Sequence, residues 1–154
     1  MTSWITFLPF MAIVVVVAIS GGIFIPGQWY KSLRKPSWTP PDWLFGPAWT
    51  VLYFMIALAG WRIWQAQGWG IALGIWSLNL VFNGAWSWLM FGRHRIQAAF
   101  VDACAMVVTI VAFVATSWPV DPVAAWLFVP YLVWTSFAAA LNLSILRLNA
   151  SSAH

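Results

Sequence analysis

Long apolar stretches separated by short polar turns run along almost the whole chain. Five of them reach about 20 residues, which at 1.5 Å of rise per residue is enough to cross the roughly 30 Å hydrocarbon core of a bilayer. The turns between the second and fifth stretches are short, so these neighbours are expected to be antiparallel. The pattern predicts an all-α membrane protein whose residues 1–154 form one domain, a bundle of five transmembrane helices over residues 4–25, 42–66, 69–91, 96–118 and 122–148.

The connection between the first two predicted helices is unlike the other turns. Prolines stiffen it, and large aromatic side chains stand between them. The prolines are Pro36, Pro40, Pro41 and Pro47, and the aromatic residues are Trp38, Trp43, Phe45 and Trp49. Because Asp42 is a suitable N-cap and Pro47 suits a first helical turn, the second helix is expected to begin near Asp42 or near Gly46. We interpret this Pro/Trp-rich loop as a lid over a cavity for a flat apolar molecule.

The third predicted helix has two distinct faces. At 100° per residue, Asn83 lies about 40° and Trp86 about −20° from Asn79, so these polar groups share a face that should point into the bundle. The small residues Gly70, Gly74, Ser77 and Gly84 lie around the opposite side. Such a face allows close helix packing, either within one chain or between the two copies of a homodimer. The two asparagines, likewise, fit either a ligand site or plain interhelical hydrogen bonds.

Two further helices carry aromatic residues at helical spacing. The stripe on the second helix is Phe45, Trp49, Tyr53 and Ile56, and that on the fifth is Trp126, Pro130, Trp134, Ala138 and Asn142. A single stripe of this kind is typical of core packing or of a lipid-facing belt. Together with the lid, the stripes favour a shared cavity.

Composition and charge narrow the class of protein. The chain is 63% hydrophobic and 6% charged, whereas ordinary soluble domains are about 25% charged. Six of its seven basic residues fall in turns on one predicted side of the membrane, and Arg62 falls on the other. These six are Lys31, Arg34, Lys35, Arg93, Arg95 and Arg147. The positive-inside rule places the N-terminus outside, with the lid loop and the C-terminus in the cytoplasm, and the net charge of +4 is explained by lipid headgroups without nucleic acid.

Candidate catalytic and metal-binding groups are sparse. Cys104 is expected to be a packing residue, and His94 a solvated residue in a cationic turn, with haem ligation as the alternative. Asp102 lies about 10 Å inside the fourth predicted helix by rise alone. An intramembrane carboxylate is a functional candidate, although pairing with a cytoplasmic-side arginine, or a backbone-capping role, is the favoured alternative. We predict no metal site and no required cofactor.

The motifs of the chain resemble those of the TspO/MBR family, the tryptophan-rich sensory proteins and mitochondrial translocator proteins. The run W-x-P-P-x-W-x-x-x-P-x-W-x-x-L-Y, from Trp38 to Tyr53, follows Trp29-Tyr30 and Lys35-Pro36. The match continues through N-L-V-F-N at 79–83, Val101-Asp102, V-P-Y-L-V-W at 129–134 and F-A-A-A-L-N at 137–142. It covers essentially the whole chain in order.

The resemblance implies a five-helix bundle, commonly a homodimer, that binds porphyrins such as protoporphyrin IX and haem, and also synthetic benzodiazepine-type and isoquinoline ligands. The family's binding residues correspond to Tyr30, Pro41, Trp49, Tyr53, Asn79, Asn83, Trp134 and Ala138, to which the lid itself adds Trp38. The cholesterol-recognition pattern of the family needs a tyrosine where this chain has Leu143, which argues against strong cholesterol binding.

The expected function is therefore a receptor or carrier for porphyrins, acting in tetrapyrrole sensing, transport or disposal in a bacterial cell-envelope membrane. One alternative is an enzyme that degrades protoporphyrin in light and oxygen, since Trp49 and Trp134 match tryptophans implicated in such a reaction in some family members. A second alternative is a transporter of small hydrophobic compounds or sterols. For a proton-coupled exporter of cationic drugs, Asp102 is the intramembrane acid that the chain offers.

Overall fold

The computed structural model describes residues 4–150, and the regular structure in that range is helical. Its α-helices are α1 (Leu8–Ile23), α2 (Gln28–Ser32), α3 (Asp42–Gln67), α4 (Ile71–Ser87), α5 (Ile96–Ser117), α6 (Pro122–Leu127) and α7 (Val129–Leu148). A 3-10 turn, Trp4–Phe7, leads into α1, and a π-helix, Trp88–Gly92, continues α4. The predicted all-α class is confirmed.

Four helical stretches within residues 4–150 are long and apolar enough to cross a bilayer. They are Trp4–Ile23, Asp42–Gln67, Ile96–Ser117 and Pro122–Leu148, and each coincides with a predicted span. The other predicted span, 69–91, corresponds to the 17 residues of α4 and the π-helix that follows. The chain is thus a membrane protein with several apolar helices, and a fifth crossing stays a prediction.

Helix α3 begins at Asp42 rather than at Gly46. Pro41 holds the N-cap position with an extended backbone, and the Asp42 side chain lies in the first turn without capping. A carboxylate there is favoured by the positive end of the helix dipole. Pro47 lies inside the helix. The preceding residues, 33–41, are irregular.

The core depends on a close approach between α3 and α4. A Cβ atom on Gly60 would lie 2.7 Å from Nε1 of Trp76, a distance that no real side chain tolerates. Because Gly60 has no side chain, the buried Trp76 ring packs on the α3 backbone and donates a hydrogen bond of 2.9 Å to the Ile56 carbonyl. The indole thus fills the core without leaving its N–H unpaired.

Polar contacts fasten the two ends of the bundle. At one end, Nε of Arg62 on α3 lies 2.7 Å from Oδ2 of Asp121, and Oδ1 of Asp121 caps α6 by accepting from the Val123 N–H. At the other end, the Asn149 side-chain amide accepts from the Arg34 N–H at 3.0 Å and donates to the Arg34 carbonyl at 2.8 Å. The Asn149 contact ties the start of the lid loop to the end of α7.

The small-residue face of α4 is only partly covered within the chain. A Cβ on Gly84 would lie 3.8 Å from Val17, so α1 packs against that end of the face. A Cβ on Gly74 would meet no atom within 4 Å, and one on Gly70 would meet only the Gln67 side chain. Ser77 donates to the Leu73 carbonyl of its own helix. The face is therefore an intrachain contact at Gly84 and an open surface at Gly74.

Candidate functional site

A cavity of about 490 Å³ lies between α1, α3, α4 and α7, at the end of the bundle that carries the lid loop. That volume is within the usual range for small-molecule sites, about 300 to 1,000 Å³. The predicted binding residues that line it are Tyr30, Trp49, Tyr53, Asn83 and Ala138. They come from α2, α3, α4 and α7, so residues far apart in sequence meet at one site.

Aromatic rings form one wall of the cavity. The Trp49 ring stacks on Tyr53, with centroids 5.4 Å apart and planes at 28°. Trp134 meets Trp49 edge-on at 6.4 Å and Phe45 edge-on at 5.7 Å. The α-helical spacing of 45, 49 and 53 explains why these three side chains share one face of α3. The result is a broad apolar surface on which a planar ring system can stack.

A chain of hydrogen bonds leads from this wall into the interior. The Tyr53 hydroxyl donates to Oδ1 of Asn83 at 2.9 Å, and Nδ2 of Asn83 donates to the Tyr131 hydroxyl at 2.7 Å. Tyr131 donates to Oδ1 of Asn79 at 3.0 Å, and Nδ2 of Asn79 donates to Thr109 at 2.9 Å. Thr109 donates to a carbonyl of its own helix. Because every donor in the relay has an acceptor, the orientation of the Tyr53 and Asn83 polar atoms at the cavity is fixed.

A second polar pair joins α4 to α7. Nε1 of Trp86 donates to Oδ1 of Asn142 at 2.9 Å, and Nδ2 of Asn142 donates to the Ile96 carbonyl at 3.1 Å. Both Trp86 and Asn142 line the cavity. The predicted polar face of the third helix is thus divided, with Asn83 and Trp86 at the cavity and Asn79 completely buried behind it.

The remaining predicted site residues lie around the cavity rather than in its lining. Trp134 stands behind Trp49 and lines a separate groove. Trp38 is 46% exposed and packs edge-on against Phe137. Pro41 is exposed at the N-cap of α3. These three residues form the outer wall and lid of the site.

The sequence-based prediction missed the contribution of α1. Gly21 and Gly22 line the cavity together with Pro26, which follows the helix. The sequence did contain a signal for this contribution. Two adjacent glycines in a largely bulky apolar span leave room beside the helix for another group. Asn149 was also missed, since its role depends on a contact with Arg34, which is distant in the sequence.

A lysine lies beside Tyr30 at the edge of the cavity, and the Tyr30 hydroxyl stays protonated. Nζ of Lys35 lies 4.6 Å from the centroid of the Tyr30 ring and donates to the Tyr30 carbonyl at 2.8 Å. Burial, together with the nearby Asp42 carboxylate, raises the pKa of Tyr30 to about 12. Tyr30 is therefore a neutral hydrogen-bond donor at physiological pH.

The other titratable groups singled out from the sequence are separate from this site. His94 stacks on Trp29 with centroids 4.1 Å apart, and Cys104 is exposed. Asp102 is buried on α5, and within residues 4–150 its Oδ2 atom has no hydrogen-bond partner and its carboxylate no ion pair. No group of three or more His, Cys, Asp or Glu side chains in that range is arranged to hold a metal ion.

Comparison with known proteins identifies the family. The sequence model of the TspO/MBR family matches residues 10–148. The tryptophan-rich sensory protein of Cereibacter sphaeroides is 39% identical over 146 residues, which cover 95% of this chain and 92% of the relative. Protein CrtK of Rhodobacter capsulatus is 36% identical over 134 residues, covering 84% of each chain. The human translocator protein is 34% identical over 137 residues, covering 84% of this chain and 81% of the relative. A chain matched over nearly its whole length in this way belongs to the TspO/MBR family of membrane proteins.

Proposed function

We propose that this protein is a membrane receptor or carrier for porphyrins, with protoporphyrin IX or haem as its ligand. The observation that carries the proposal is the 490 Å³ cavity, in which stacked aromatic rings face fixed polar groups. The names of the relatives, tryptophan-rich sensory protein and translocator protein, agree with a sensing or carrying role. A tetrapyrrole is both flat enough to stack and polar enough at its edge to use hydrogen-bond partners.

The proposed pose follows from the chemistry of the cavity walls. One face of the macrocycle stacks on the Trp49 and Tyr53 rings. Its edge approaches the amide groups of Asn83 and Asn142. The propionates extend past Tyr30 toward the basic segment that follows it, where Lys31, Arg34 and Lys35 offer charge-assisted hydrogen bonds.

The test is a titration of purified protein with protoporphyrin IX in the dark, followed by tryptophan fluorescence. We expect saturable quenching at about one porphyrin per chain, and a dissociation constant raised about tenfold or more by Trp49→Leu, since one lost ring contact is worth about 1 kcal/mol beyond its buried area. Trp126→Leu is the matched control, because Trp126 is 61% exposed and lines neither the cavity nor the groove. Quenching that never saturates would mean that porphyrin only dissolves in the micelle.

Light-dependent degradation of the bound porphyrin is the second candidate function. The edge-on contact of Trp49 with Trp134 and its stack on Tyr53 favour it, because three oxidisable rings lie in sequence, with Tyr53 and Trp49 in the cavity lining and Trp134 behind them. In this reaction the excited macrocycle is oxidised and dioxygen is reduced. Illumination in air should then bleach the porphyrin spectrum in the wild type, and Trp134→Phe should bind porphyrin but bleach it more slowly. Equal bleaching in both proteins would exclude a role for Trp134.

We also propose the arrangement in the membrane and between copies. Helix α4 and its π-helix form the fifth crossing, and the N-terminus is outside with the lid loop in the cytoplasm. A second copy packs on the open part of the small-residue face around Gly70, Gly74 and Ser77. Gly74→Leu should then shift the purified protein from dimer to monomer in light scattering, whereas Ala115→Leu, on the exposed face of α5, should not.

A further inference from the structure

The cavity lining is almost free of charge, and the one charge that it carries is negative. Aromatic, aliphatic and neutral polar side chains make up nearly all of it. Of the residues between 4 and 150 that line the cavity, Asp42 is the only one with a charged side chain. A ligand group that enters the cavity therefore meets a carboxylate and no lining cation.

Asp42 carries its charge without a compensating partner. It is the first residue of α3, where its side chain is exposed and caps no backbone N–H. Within residues 4–150, Asp121 forms an ion pair with Arg62 at the other end of the bundle, and Asp42 forms none. The positive end of the helix dipole favours a negative charge at this position. Asp42 thus presents an unpaired carboxylate to whatever occupies the cavity.

The electrostatic effect of Asp42 reaches other residues of the lining. Tyr30, which also lines the cavity, is almost completely buried. Burial raises the pKa of Tyr30 to about 12, and repulsion between the Asp42 carboxylate and the tyrosinate contributes to the increase. A ligand carboxylate placed beside Tyr30 inside the cavity would meet the same repulsion.

The basic side chains of this region lie beyond the lining. Nζ of Lys35 donates to the carbonyls of Tyr30 at 2.8 Å and Leu33 at 3.2 Å. Lys31 and Arg34, in the same segment, do not line the cavity either. The charge therefore changes sign near Tyr30, from negative in the lining to positive outside it. A ring with two carboxylates is favoured when both of them lie on the outer side of this boundary.

We propose that Asp42 is a specificity-determining residue of the cavity, a role that rests on the porphyrin-binding function proposed above. Its carboxylate repels the propionates of a porphyrin from the lining and so fixes the direction in which the ring lies. The apolar edge points into the cavity, and the propionates stay outside, toward Lys31 and Arg34. The same repulsion weakens the binding of the free acid relative to that of its neutral ester.

Two ligands with the same ring test this charge effect. Protoporphyrin IX carries two propionates, and its dimethyl ester carries no charge there. We expect the dissociation constant of the acid, divided by that of the ester, to fall about two- to fivefold in Asp42→Asn, the range that one partly exposed charge pair gives. The ratio cancels any effect that the substitution has on both ligands alike, such as a weaker start of α3.

The controls separate charge from position. Asp42→Glu keeps the charge and should restore the wild-type ratio, and high salt should reduce the difference between Asp42→Asn and the wild type. Asp121→Asn is the matched control, because it makes the same change at the other end of the bundle and outside the lining. A ratio unchanged in Asp42→Asn, or lowered equally in Asp121→Asn, would overturn the role of Asp42 and leave porphyrin binding intact. A wild type that binds neither ligand saturably would refute the proposed function, and the role of Asp42 with it.

Discussion

At the scale of single residues, the polar relay shows how a membrane-embedded cavity keeps defined hydrogen-bonding groups. Asparagine and tyrosine side chains are costly in an apolar interior unless each is paired. Here each side chain donates a hydrogen bond to the next one, from Tyr53 through Asn83, Tyr131 and Asn79 to Thr109. The cost of burial is offset by pairing, and the cavity gains a rigid polar surface.

Replacing Asn83 by Leu should break this relay at its second member, next to Tyr53. The change removes an acceptor for Tyr53 and a donor to Tyr131, so we expect a loss of roughly 1 to 3 kcal/mol in stability and weaker porphyrin binding. Thermal unfolding in detergent and the porphyrin titration measure the two effects. Thr116→Val is the control, because Thr116 bonds only to carbonyls of its own helix. Similar losses in both variants would mean that the relay adds nothing beyond single hydrogen bonds.

Gly60 should be intolerant of even one added methyl group. Gly60→Ala places a Cβ against the buried Trp76 ring, and overpacking of this kind costs about 1 to 3 kcal/mol. Gly22→Ala makes the same change on α1, where a Cβ meets nothing within 4 Å, and should be neutral or stabilising by up to about 1 kcal/mol through helix propensity. Differential scanning fluorimetry should therefore separate the two variants by several degrees. Equal midpoints would contradict the close approach of α3 and α4.

At the scale of elements, the Arg62 pair joins α3 to α6 through a residue with two roles. Asp121 both caps α6 and accepts from Arg62. Asp121→Ala should cost about 1 to 2 kcal/mol, from a lost cap of about 1 and a partly exposed ion pair worth up to about 1. Asp121→Asn keeps the cap and should lose only the pair. Since the Arg62 side chain is 38% exposed, the Asn variant should differ from the wild type less at high salt. If salt leaves the stability difference between Asp121→Asn and the wild type unchanged, that difference does not come from the ion pair.

The sequence predicted the elements well where periodicity alone decides them. Four spans match the candidate crossings because predominantly apolar runs of about 20 residues have few other structures available. The sequence does not decide whether α3 begins at Asp42 or at Gly46, because that start depends on Pro41 taking the cap position. The π-helix after α4 was not foreseen, since no residue pattern distinguishes WLMFG from ordinary helix.

The site was predicted in part because its residues lie on regular helix faces. Positions 49, 53 and 83 follow from helical spacing together with the family resemblance, and they meet at the cavity. The division between Asn79 and Asn83 could not be predicted, because it depends on which neighbouring helix, α5 or α3, each amide faces. The place of Trp134 between the cavity and the groove likewise follows from packing rather than from spacing.

At the scale of the whole molecule, charge is strongly asymmetric between the two ends. Contacts bring the basic segments together at the lid end, where His94 stacks on Trp29 and Asn149 binds Arg34. At the other end, Arg62 is neutralised by Asp121. The positive-inside rule counts the lysines and arginines themselves, and six of them against Arg62 favour a cytoplasmic lid.

Cysteine labelling should reveal this orientation directly. In a Cys104→Ser background, Ser32→Cys lies at the exposed lid end and Gln67→Cys at the exposed opposite end. With a membrane-impermeant maleimide added to spheroplasts, we expect Gln67→Cys to react and Ser32→Cys to react only after the membrane is permeabilised. Inverted vesicles should give the reverse order, which controls for the intrinsic reactivity of each site. Labelling of Ser32→Cys in intact spheroplasts would reverse the orientation, and would place the mouth of the cavity on the side from which an external porphyrin arrives.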